Sequence, residues 1–267
     1  MKKLAIKVSR ISKEFEKKPY DVKKFKEWLT NRTKFLFNSE AIQSEKIMAL
    51  DDVSFEMYKS EVLGIIGANG SGKSTLFKIF AQITPPSDGL VELYGRVVAL
   101  IEVGSGFYKE LSGRENVFIS GAILGMKKYE IEDKLEDIFE FAGIERYKID
   151  TPIKKYSSGM KIRLAFAVAA HLNADILLLD EVLAVSDYQF QQKSLQKIKN
   201  LASEGKSIVF VSHDLNSVKQ VCNRVVLLDK GRVSFVGPVE EGINYYLENQ
   251  PDNSEELFKH KIKTDKD

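Results

Sequence analysis

Residues 61–74 constrain the fold of this chain more than any other stretch. Glu61-Val-Leu-Gly-Ile-Ile-Gly67 is a short apolar run of strand length, and it leads directly into Gly67-Ala68-Asn69-Gly70-Ser71-Gly72-Lys73-Ser74. The second segment fits the pattern G-x-x-x-x-G-K-[ST] without a gap. Helical spacing follows, with Thr75, Leu76, Ile79 and Phe80 in the next turns. Glycine tolerates positive backbone dihedrals and allows close approach to a phosphate. The loop amides and the helix dipole then point at the same anion. Gly67, Asn69, Gly70, Ser71, Gly72 and Thr75 are therefore expected to cradle a nucleoside triphosphate, ATP, with Lys73 reaching its β- and γ-phosphates and Ser74 ligating Mg²⁺.

The rest of the chain alternates in the same way. Strands are expected at 4–9, 51–57, 61–67, 176–179, 207–211 and 224–228, and 90–101 reads as a strand pair turning at Gly95. Residues 112–172 read as mostly helical, with breaks near Gly143 and at 151–159. Strands separated by helices imply a largely parallel sheet buried on both faces. A chain of 267 residues with 43% hydrophobic and 29% charged residues can build such a core. The formal charge of +2 is too small to argue for nucleic acid as a partner. No run approaches the roughly 18 apolar residues of a membrane-spanning helix. For the single cysteine, Cys222, packing is the simpler role than reactivity.

Two later strands end in polar clusters. Ile176-Leu-Leu-Leu179 runs into Asp180-Glu181, and Val209-Phe-Val211 into Ser212-His213-Asp214. The carboxyl end of a parallel strand faces the crevice where α/β sheets bind ligands. There Asp180 suits Mg²⁺, Glu181 suits a base that polarises water, and His213 suits a hydrogen-bond donor to a γ-phosphate. Each feature taken alone has a plainer reading, an acidic loop or a structural histidine.

Between these motifs lies Lys155-Tyr156-Ser157-Ser158-Gly159-Met160, which resembles the LSGGQ signature of ABC ATPases. Tyr156, Ser158 and Met160 depart from the usual leucine, glycine and glutamine, while Ser157 and Gly159 are retained. The order of phosphate loop, signature, Asp180-Glu181 and His213 is similar to that family throughout residues 4 to about 240. The resemblance implies an α/β fold, a P-loop NTPase of ABC ATPase type. Its core sheet would be mostly parallel, with an antiparallel β subdomain and a helical subdomain. It also implies a head-to-tail dimer with a second copy, in which Ser157 and Gly159 approach the γ-phosphate held by the partner and Asp187 lies in the loop crossing the interface. Catalysis would rest on Lys73, Glu181 and His213. Phe15 resembles the aromatic residue that stacks on adenine, with Tyr20 as the fallback; the plain alternative places Phe15 in the core. Glu102 stands where most of the family carries a glutamine, and is a third candidate near the metal beside Ser74 and Asp180. An ionised carboxylate cannot donate as an amide does.

The signature variant, together with Asp180-Glu181-Val-Leu-Ala-Val-Ser-Asp187, resembles the branch that exports lipid-linked polysaccharides, which includes the O-antigen, capsule and wall teichoic acid exporters. That resemblance implies a subunit peripheral on the cytoplasmic face of the membrane, docked to a transmembrane permease through which a lipid-linked glycan passes. The domain reading is a nucleotide-binding domain over 1–240, containing a helical subdomain at about 110–172 and an insertion at about 16–45, then a short helix and polar tail over 241–267. Within the insertion, Val22, Phe25, Trp28, Leu29 and Leu36 alternate with basic residues. That spacing fits a helix packed on its own domain with a solvated basic face, or one lying against headgroups or permease. With the sequence ending at 267, the resemblance implies an exporter that needs no ATPase-borne glycan-binding β-sandwich of the kind some exporters carry. Other readings are a different export substrate, a soluble ABC ATPase of DNA repair or translation, and a nucleotide-dependent structural protein without turnover.

Overall fold

The computed structural model describes residues 3–17, 45–100, 107–180 and 187–249. The insertion core with Trp28 and Tyr20, the segments holding Glu102 and Glu181, and the polar tail lie outside the described residues.

Two sheets enclose one helix. In the larger, β3 (Val62–Ile66), β5 (Val97–Leu100), β6 (Ile176–Asp180), β7 (Ser207–Val211), β8 (Arg224–Asp229) and β9 (Arg232–Pro238) are arranged β5-β6-β7-β3-β8-β9. All neighbours are parallel except β8 and β9. The smaller sheet is antiparallel, with β1 (Leu4–Lys17) between β2 (Glu45–Tyr58) and β4 (Asp88–Leu93).

Strand alternation divides the core. Leu63, Ile65, Ile176, Leu178, Val209, Val211, Val226 and Leu228 face the antiparallel sheet and α1 (Lys73–Phe80). Their sequence neighbours Val62, Ile66, Leu177, Leu179, Ile208, Phe210, Val225 and Leu227 face the opposite, helical layer. Both faces are covered, which is why these strands read as continuous apolar runs. The helical layer comprises α2 (Gly113–Ile123), α3 (Lys128–Ala142), α4 (Ser158–Ala170), α5 (Tyr188–Ser203), α6 (Leu215–Val221) and α7 (Val239–Glu248).

Two expectations need correction. The strands at 4–9 and 51–57 are longer than their sequence pattern suggests, because a bulge interrupts the alternation without ending the pairing. Arg10 and Asp52 adopt positive φ there, and their amides donate to the hydroxyls of Ser54 and Ser12 at 2.8 and 3.1 Å. The strands flanking Gly95 do not pair with each other. β4 joins β1 in one sheet and β5 joins β6 in the other, so Gly95 marks a passage between sheets. There the Arg96 amide donates to Asp175 Oδ2 at 2.8 Å.

A cavity of about 510 Å³ lies at the amino edge of the parallel sheet, lined in part by Arg96, Tyr129, Asp133, His171 and Lys197. His171 Nδ1 lies 2.7 Å from the Ala167 carbonyl oxygen, and the ring meets Phe141 edge-on. Burial lowers the His171 pKa, with the nearby Lys197 and Lys134 acting in the same direction and the Ala167 carbonyl and Asp137 opposing them. The unfolded chain therefore takes up a proton that the folded chain withholds. Stability should be full above pH ~6.5 and decline as the pH falls below it. Thermal melts from pH 7.5 to 5.5 are expected to show a smaller decline for His171→Gln than for the native chain; equal declines would assign the effect to other groups.

Candidate nucleotide site

The phosphate loop grows from the carboxyl end of β3. Gly67, Gly70 and Gly72 all take positive φ, at 147°, 80° and 105°. At Gly67 the need is steric as well: a Cβ would run into the Leu228 carbonyl and sit 2.7 Å from Ser71 Oγ. The Ser71 hydroxyl is buried and has no hydrogen-bond partner among the described residues. Gly67→Ala is accordingly expected to destabilise the fold by about 1–3 kcal/mol, read as a lowered urea midpoint. An unchanged midpoint would show that the loop has a second, unstrained arrangement.

Lys73 opens α1 and is only 7% exposed, and its Nζ donates to the Gly67 and Ala68 carbonyls at 2.8 and 2.9 Å. The ammonium is thus held inside the curve of its own loop. No acidic residue occupies the first turn of α1, so the helix amides keep their affinity for an incoming anion. Asn69, Gly70 and Ser74 are exposed around the loop, and Thr75 is half-buried.

Strand order brings the other motifs to the same edge. β7 lies between β6 and β3, pairing Asp180 with Val211 and Val211 with Ile65. Asp180 closes β6, and the exposed His213 follows β7 by two residues, so both lie on one side of the loop after β3. Asp214 caps α6, accepting from the amides of Asn216 and Ser217 at 3.0 and 3.3 Å, which fixes the chain immediately after His213.

The signature segment sits at the start of α4. Ser157 is its N-cap and accepts from the Met160 amide at 3.2 Å. Beyond Ser157 Oγ at 4.0 Å, a Cβ at Gly159 would meet nothing, so that turn is open. Tyr156, the residue in the leucine position, is buried. Its hydroxyl donates to the Lys148 carbonyl at 2.8 Å, and the ring packs where a Cβ on Gly113 would collide with it. Asp187 caps α5, accepting from the Phe190 amide at 2.9 Å, and pairs with Arg163 Nη1 at 3.0 Å. The Phe190 amide bond, reinforced by Arg163, lowers the Asp187 pKa. Phe15 is 43% exposed, opposite the exposed Ile47 and with Lys13 Nζ 5.3 Å from its ring centroid, so it is not a core ring.

The motifs do not predict the role of Asn116. It is fully buried, accepts from the Tyr108 amide at 2.7 Å, and donates to the carbonyls of Tyr108, Leu111 and Ser112. It therefore fastens the segment that follows Glu102. An asparagine in the first turn of a helix opened by Ser112-x-x-Glu115, a capping box, is the signal that could have found it.

The profile of the ABC transporter family matches residues 50–184. The chain belongs to that family. It is 46% identical over 198 residues to the ABC transporter protein AbcA of Aeromonas salmonicida, a match covering 74% of this chain and 64% of AbcA. It is 40% identical over 207 residues to the O-antigen export system ATP-binding protein RfbB of Klebsiella pneumoniae, covering 78% of this chain and 84% of RfbB. A dimeric ATP-binding cassette in a post-hydrolysis state, bound to ADP and Pi, superimposes with a TM-score of 0.69 at 21% identity. That match covers 88% of this chain and 98% of the cassette and bears on the fold.

Proposed function

We propose that this chain is the ATP-binding and ATP-hydrolysing subunit of a transporter that exports a lipid-linked polysaccharide. It works peripherally on the cytoplasmic face of the membrane. The observation that carries the reading is the gathering of the Lys73 loop, Asp180 and His213 at one edge of the parallel sheet. The similarity to an O-antigen export ATP-binding protein supports the choice of cargo. Among the described residues no helix is long and apolar enough to cross a membrane, which fits a subunit that docks on a permease.

In this reading two copies pair head to tail, each ATP lying between one copy's phosphate loop and the other's Ser157 and Gly159. Lys73 moves from its loop carbonyls to the β- and γ-phosphates, and the α1 amides hold the same anion. Phe15 stacks on adenine. Ser74 and Asp180, with Glu102 as a third candidate, hold Mg²⁺. No cluster of three or more acidic, histidine or cysteine ligands occurs among the described residues, which suits an ion that takes much of its shell from phosphate and water. When bound, that ion supplies charge neutralisation at the phosphates. Glu181 orients the attacking water and accepts its proton, and His213 donates to the γ-phosphate.

Phosphate release by this chain, purified with its membrane partner, tests the proposal. Stimulation by a polyprenyl-linked polysaccharide is expected. Hydrolysis indifferent to every glycan would remove the export reading, and absence of hydrolysis would remove the ATPase reading.

A further inference from the structure

Arg163 lies on α4, less than two turns after the Ser157 cap, and joins three helices. Its Nε donates to the Ala142 carbonyl at 3.0 Å, its Nη1 meets Asp187 Oδ2 at 3.0 Å, and its guanidinium carbon lies 6.0 Å from the centroid of the Phe190 ring. From α5, Lys193 Nζ donates to the Glu140 and Phe141 carbonyls at 3.3 and 3.0 Å. The terminal carbonyls of α3 are therefore capped by one cation from α4 and another from α5, a favourable placement at a helix C-terminus. Behind them, Phe141, Phe166 and Phe190 pack one ring from each helix, with centroids 5.7–6.0 Å apart.

The Arg163–Asp187 pair is partly solvated, with side chains 24% and 54% exposed, and a pair of that kind adds little to stability. Its geometry is more specific than its energy. One carboxylate caps α5 with Oδ1 and receives Arg163 on Oδ2, so Asp187 is fixed to the helix that Ser157 caps.

We propose that Arg163 is a positioning residue that holds Asp187 and the Ser157 turn at a set separation, so that both reach the second copy's nucleotide as one unit. The inference rests on the dimeric ATPase reading above. Arg163 acts through Asp187.

A double-mutant cycle tests it, with Arg163→Gln, Asp187→Asn and their combination, using asparagine because it preserves the α5 cap. For Arg163→Gln in the complex with the membrane partner, kcat is expected to fall about tenfold with KM for ATP within about twofold and little change in Tm. In the Asp187→Asn background, Arg163→Gln should have no further effect on kcat. A fall in Tm with kcat intact, or losses that multiply in the double variant, would overturn the proposal. Should Arg163→Gln fail to fold, Arg163→Lys carries the same cycle. It retains charge but cannot span Ala142 and Asp187 together, so a smaller loss absorbed by Asp187→Asn is expected, and a loss persisting in that background counts against the idea. If the unmodified chain shows no hydrolysis, the ATPase reading itself fails, which is distinguishable from every result of the cycle.

Discussion

Lys73→Ala is expected to weaken ATP binding by on the order of a hundredfold or more, since each hydrogen bond to a charged group contributes ~1.5–3 kcal/mol and Lys73 would make several to phosphate. Titration with a fluorescent ATP analogue reads the loss directly. The fold should tolerate the change. The Gly67 and Ala68 carbonyls that Lys73 now engages border an exposed stretch of loop, where water can replace the ammonium. Unaltered affinity would mean that the loop amides alone hold the phosphates, and that the ammonium serves to brace the loop.

Glu181→Gln separates binding from turnover. Removing a general base typically lowers the rate by about 10²–10⁴-fold, while an amide of the same shape leaves the phosphate loop and the metal ligands in place. The variant is expected to bind ATP with near-native affinity, to release almost no phosphate, and to accumulate as an ATP-bound dimer on size-exclusion chromatography. Normal turnover would exclude Glu181 as the base and leave His213 and Asp180 as the groups to examine.

Features that depend on neighbouring residues were legible in the sequence. The buried strand 62–66, the glycine loop and the helix after it form a continuous local pattern, and the structure realises it at those positions. The same holds for the acidic end of Ile176–Asp180, because a strand buried on both faces can place a charge only at its end. What escaped the sequence is decided by distant partners. Gly95 announces a turn but carries no information about which sheet each arm enters; Val97–Leu100 finds Ile176–Leu179 far along the chain. Arg163 reads as one more basic residue on an amphipathic helix, and only packing brings Ala142 and Asp187 to it. Tyr156 reads as a departure from a motif until the absent side chain of Gly113 is seen to make room for it.

The position of β3 also governs when a newly made chain can acquire its binding loop. Its neighbours on both sides are β7 and β8, and the Val62 amide is satisfied by Asn223, 161 residues later. Pairing across such distances is slow and leaves apolar strands exposed in the interval. During synthesis, therefore, the loop emerges early but stays without its supporting strands until the chain through Asp229 has left the ribosome. Nucleotide capture then marks completion of the whole core, and a chain interrupted before Arg224 would offer proteases and chaperones an unfinished sheet.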